Sequence, residues 1–144
     1  MIIKSTRVQN GGGSKLGVHL SREDTNENVQ ILEGDLDQLI SNEITSEISG
    51  NKYGNRHFTI SPQQPLSKDE IETVKNMIID EYLPKGLEGR SVTMVEHLKK
   101  RADGSKDPHF HLVISETAPA GGVICNNKSM ARNEKLSRLA EFEF

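Results

Sequence analysis

Apolar residues recur along this chain with two periods, and the switches between them mark its elements. In "RHFTISP" (56–62), Phe58 and Ile60 alternate with polar residues up to Pro62, as a strand requires. "MIIKST" (1–6) reads as a short opening strand, and "ENVQILEG" (27–34) as a strand ended by Gly34. "RSVTMVEHL" (90–98) and "HFHLVIS" (109–115) are two further strands, joined by a charged loop containing the turn dipeptide Asp103-Gly104. Helical spacing appears between them. Leu16 and Leu20 share a face over 15–22, with Ser14 placed as a cap. Leu36, Ile40 and Ile44 form a stripe behind Asp35, read as an N-cap. The "SKDE" capping box at 67–70 opens a helix on which Ile71, Val74, Ile78 and Tyr82 recur up to Pro84. A final helix over 127–144 turns Leu136, Leu139 and Ala140 inward. The order β, α, β, α, β, α, β, β, α predicts an α+β domain, a mainly antiparallel central sheet with flanking helices.

Composition narrows the picture modestly. At 144 residues the chain is the size of one domain. A net charge of −3 does not advertise nucleic-acid binding, so any such case rests on local basic clusters. Cys125 is the only cysteine, which excludes an internal disulfide and a CxxC zinc site and fits a reducing, cytoplasmic setting. The opening apolar run is too short for a signal peptide or an anchor, so no membrane association is expected. The last helix runs to the final residue without a stop signal, the pattern expected of the front part of a longer protein.

The chemistry lies in "KDPHFHLVIS" (106–115). His109 and His111, two apart in a strand, project from the same face. His97 ends the preceding strand, and antiparallel pairing across the loop brings it opposite one of them. Three imidazoles converging on one sheet face suit a metal of borderline softness, Mn, Zn, Ni or Co, and leave positions open for catalysis. His57 starts the "HFTIS" stretch and is a candidate to hydrogen-bond and orient one of the metal-binding histidines from behind. His109, His111 and Glu116 also follow the HxHxxxxE spacing of a cupin. A cupin needs another histidine downstream and is nearly all strand, so a cupin-like metal protein is the minor alternative.

"HFH" with an upstream His97, the opening "MIIKSTRVQNGGGSKLGVHL" and "RHFTISP" together resemble the relaxase domains of plasmid and conjugative-element mobilisation proteins, in the HUH endonuclease superfamily. The similarity spans nearly the whole chain. It implies an HUH-like two-layer sandwich and a relaxase: a metal-dependent nuclease that nicks single-stranded DNA at an origin of transfer. The enzyme stays covalently on the 5′ phosphate and later rejoins the ends. The cofactor implied is Mn or Mg, with Zn, Ni or Co as alternatives. The partners implied are the origin strand, accessory DNA-processing proteins and a coupling protein.

By the same resemblance Ser61 lies near the DNA backbone, and the family's tyrosine nucleophile slot holds His19. A neutral imidazole nitrogen attacks phosphorus without first losing a proton, so His19 is the candidate nucleophile, with metal-bound water as its rival. Ser115 stands where relatives often carry asparagine. Lys99, Lys100, Arg101 and Lys106 crowd the loop between the histidine strands, where a phosphate would lie. Two other readings remain: an HUH replication initiator, which usually places a tyrosine on the helix after HxH, and an inactive DNA-binding module with a structural metal.

Overall fold

The computed structural model describes residues 1–21, 27–100 and 106–144, with the side chains of residues 27, 99, 100, 106 and 107 left aside. The elements are β1 (Ile2–Gln9), α1 (Gly13–Ser21), β2 (Glu27–Glu33), α2 (Gln38–Ile48), β3 (Tyr53–Ser61), α3 (Lys68–Tyr82), β4 (Val92–Lys100), β5 (Lys106–Ser115) and α4 (Ser129–Glu143). The five strands form one sheet in the order β1-β3-β5-β4-β2, each neighbour antiparallel. The strand carrying HFH is therefore central. Among the described residues, no helix is long and apolar enough to cross a membrane.

Alternate residues of the central strands face opposite sides. Phe58, Ile60, Met94, Phe110, Leu112 and Ile114 turn to one side. There they form the main core with Ile71, Val74, Ile78 and Tyr82 of α3 and Leu136 and Ala140 of α4. Each Val, Leu, Ile, Phe or Met among them, fully buried, contributes roughly 1.5–3 kcal/mol. On the other side Val113 meets Leu16 and Leu20 of α1, Leu39 of α2 and Leu36 just before it, in a smaller apolar cluster. The antiparallel sheet with flanking helices is as expected. The helices divide between both faces, however, so the molecule has three layers where a two-layer sandwich was anticipated.

The capping box forms as read: Ser67 Oγ accepts from the Glu70 N–H at 3.1 Å, and the Glu70 carboxylate accepts from the Ser67 N–H at 3.0 Å. Two helix faces depart from expectation. On α2 the buried residues are Leu39, Asn42, Glu43 and Ser46, while Ile40 and Ile44 are exposed. Asp35 does not cap this helix either. Its carboxylate accepts from the Asp37 N–H at 2.9 Å, a local turn before the helix begins. On α4, Leu139 is exposed. Gly34 ends β2 with φ +76°, beside the Val92 carbonyl, where no Cβ fits.

Candidate active site

The smaller apolar cluster stops partway along the sheet, and the histidines begin there. Along one side of β5 the side chains run Val113, His111, His109. In register, His97 of β4 lies directly opposite His109, and Thr59 of β3 opposite His111. His57 is two residues from Thr59, on the same face. The His57 and His111 rings stack with centroids 5.1 Å apart, and His97 and His111 lie 4.6 Å apart. His19, exposed in the last turn of α1, sits edge-on to His97 at 6.5 Å. All five histidines of the chain thus gather at one place.

Hydrogen bonds fix several ring orientations. His97 Nε2 lies 2.7 Å from the Leu20 carbonyl. A carbonyl only accepts, so Nε2 carries the proton and Nδ1 keeps the lone pair. His57 Nε2 and His111 Nδ1 are 2.8 Å apart and share one proton. Ser61 Oγ lies 3.0 Å from His109 Nδ1. Burial holds His57 down to about 4, helped by the positive charges that His19 and His97 would carry. Burial likewise holds His111 down to about 3, with the same like-charge repulsion from His57, His97, His19 and His109. Both rings are therefore neutral at pH 7.

Among the described residues, no three His, Cys, Asp or Glu side chains are already set as ligands around one point. The chemistry of the donor set nevertheless fits a divalent cation of borderline softness. Neutral imidazoles are what coordination needs, and His97, His109 and His111 lie on adjacent rungs with a polar partner behind each. His57 lies against His111, ring to ring, with one hydrogen bond between them. Ser61 contacts His109, Oγ to Nδ1 3.0 Å, which sets it beside the histidines. Arg101 lies outside the described residues, as do the side chains of Lys99, Lys100 and Lys106.

Other candidates are drawn elsewhere. Glu116 lies on the far side of the sheet with Arg56, Oε1 to Nε 2.5 Å, away from the histidines, so the cupin spacing does not assemble. The hydroxyl of buried Tyr82 donates to Asn133 Oδ1 at 2.5 Å, and its ring packs edge-on against Phe58. Tyr53 lies under the Arg7 guanidinium, 3.8 Å from its ring centre. Neither tyrosine joins the cluster. The buried Ser115 hydroxyl donates to the Thr117 carbonyl at 2.8 Å.

One contributor has no counterpart among the residues singled out by sequence. Glu43 of α2 accepts hydrogen bonds from the Gly11 N–H at 2.8 Å and from the Gly13 N–H, at the start of the helix that carries His19. The only sequence signal was a glycine triplet with free amide donors, which names no acceptor. Comparison with family models, curated proteins and solved structures finds no match to this chain.

Proposed function

We propose that this protein is a metal-dependent nuclease and strand transferase of the HUH relaxase kind, acting on single-stranded DNA. His97, His109 and His111 would hold one divalent cation, with Mn or Mg in the first place. The observation that carries the reading is the convergence of all five histidines, with His19 at the open edge of the group. Bound at this site, a divalent cation supplies positive charge that polarises phosphorus and offsets charge growing on the phosphoryl oxygens.

The chain's own residues do the rest. Ser61 and His57 orient His109 and His111. His19 is the nucleophile: a neutral ring nitrogen bonds to phosphorus, and the bond from phosphorus to the 3′ oxygen breaks. That oxygen leaves with the electron pair and takes up a proton. The imidazole regains neutrality by releasing the proton on its other nitrogen, and the downstream strand stays on His19 through its 5′ phosphate. Attack by a 3′ hydroxyl reverses each step and rejoins the strand. The basic residues at the end of β4 (Lys99, Lys100), at the start of β5 (Lys106) and between them (Arg101) adjoin these histidines in sequence and support an anionic substrate.

The test uses a pool of single-stranded oligonucleotides labelled at the 3′ end, incubated with protein and Mn²⁺. The expected result is a labelled protein adduct that survives denaturing gels, disappears with EDTA and is cleaved by mild acid, as a phosphoramidate is. His19→Ala should abolish cleavage and adduct while Mn²⁺ binding persists. An adduct formed by His19→Ala at the parental rate would place the nucleophile elsewhere. DNA binding with no cleavage in any metal would leave a binding module.

A further inference from the structure

We infer that Glu43 is a positioning residue for His19, acting through the N-terminus of α1; the inference builds on the proposed role of His19. The helix is short, Gly13–Ser21, and has no acidic residue in its first turn. Its first amide donors would be left without acceptors. Glu43, buried on the neighbouring helix α2, supplies an acceptor to the first of them and to one amide of the loop before it. Its Oε2 takes the Gly11 N–H at 2.8 Å and its Oε1 takes the Gly13 N–H. The carboxylate also lies at the positive end of the helix dipole, where negative charge is favoured.

The fit is specific. A Cβ on Gly13 would overlap the Glu43 carboxylate, and a Cβ on Gly54 would come within 2.8 Å of Glu43 Cγ. The glycines on both sides thus make room for this one side chain. At the other end of α1 the Leu20 carbonyl accepts from His97 Nε2. The helix is held at its start by a carboxylate and at its end by a histidine of the cluster, and His19 stands one residue before that second clamp. With the first clamp released, what holds α1 among the described residues is Leu16 and Leu20 in the small apolar cluster and the bond to His97. A displacement of about 1 Å at a reacting atom can cost 100-fold in rate.

The experiment compares wild type with Glu43→Ala, Glu43→Gln, Gly13→Ala and the double variant Gly13→Ala/Glu43→Ala. One readout is the nuclear Overhauser contact between the His19 and His97 rings. The other is the rate of adduct formation at saturating DNA, with KM and Mn²⁺ affinity measured alongside. Glu43→Ala is expected to lose the ring contact and slow the adduct roughly 10-fold or more, with KM and Mn²⁺ affinity unchanged. Glu43→Gln, which keeps one acceptor oxygen, should fall between. Gly13→Ala should be damaging alone and add little in the Glu43→Ala background, because its clash is with the carboxylate. A ring contact and rate retained in Glu43→Ala would overturn the inference, as would additive effects in the double variant. Should Glu43→Ala fail to fold, Glu43→Gln and Gly13→Ala carry the same two outcomes. If wild type forms no adduct, the nuclease reading fails by itself, and the ring contact alone decides the position of His19.

Discussion

Of the two ring nitrogens of His97, Nδ1 is the one that can offer a lone pair to a cation, because Nε2 donates to the Leu20 carbonyl. The neighbouring rings are constrained in other ways. Coordination through Nε2 of His111 requires the shared proton to sit on its Nδ1, with His57 accepting it. In the proposed metal site a neutral histidine would thereby do for His111 what a carboxylate does in many metal sites. Ser61 stands in the same relation to His109. These assignments separate ligand from support by size of effect. Mn²⁺ affinity measured by isothermal titration should fall about 10-fold on replacing His57 with Ala, the lower end for a lost outer partner. Replacing His97, His109 or His111 with Ala should cost more, since each would supply one of few bonds in the proposed site. Equal affinity across the three ligand variants and wild type would remove the metal from this site.

At the scale of elements, α3 shows a local signal and the tertiary outcome agreeing. Ser67 and Glu70 close the reciprocal box, and Ile71, Val74, Ile78 and Tyr82 are all buried behind it. Ser67→Ala should cost about 1 kcal/mol and lower Tm by roughly 3–5 °C in a calorimetric scan. The strands are legible for a similar reason. Period-2 alternation within each strand, with antiparallel pairing between them, is enough to put His97, His109, His111 and His57 on one face. Helix α2 defeats the same logic because periodicity assumes an apolar buried face. Its inner side is instead a set of hydrogen-bonding groups: Asn42 Nδ2 donates to Asn55 Oδ1 at 2.8 Å, Ser46 Oγ to the Tyr53 carbonyl at 2.6 Å, and Glu43 grips the glycine loop. Ile40, Ile44 and Ile48 are left outside at 48%, 54% and 82% exposure. Ser14, expected to cap α1, is exposed in its first turn, and the acceptor comes from 30 residues away in sequence. No local pattern encodes that partnership. The contact of Ser61 with His109 likewise depends on the pairing of β3 with β5.

On the scale of the whole molecule, the sheet divides two tasks between its faces. One is sealed by α3 and α4 over a continuous apolar core. On the other, among the described residues, α1 and α2 cover Val113, and the histidines lie beyond that cluster. Burying imidazoles beside one another has a thermodynamic consequence. His57 and His111 have folded-state values of about 4 and about 3, against an ordinary value near 6.5. The unfolded chain therefore binds protons that the folded one refuses. The stabilising effect of keeping these rings neutral is whole above pH 6.5. It drains away as pH falls from 6.5 towards the folded values. Each pKa unit corresponds to about 1.4 kcal/mol. The two sites repel when charged and so do not simply add, which makes a loss on the order of 2 kcal/mol or more between pH 7 and pH 5 the expectation. Most carboxylates remain ionised over that interval, which isolates the imidazole contribution. Urea unfolding in EDTA at the two pH values measures it directly. The variant His57→Gln/His111→Gln, which cannot titrate at these positions, should lose less than half as much stability over the same interval. An equal loss in the variant would mean that acid acts elsewhere and that the two rings are not held neutral by their burial.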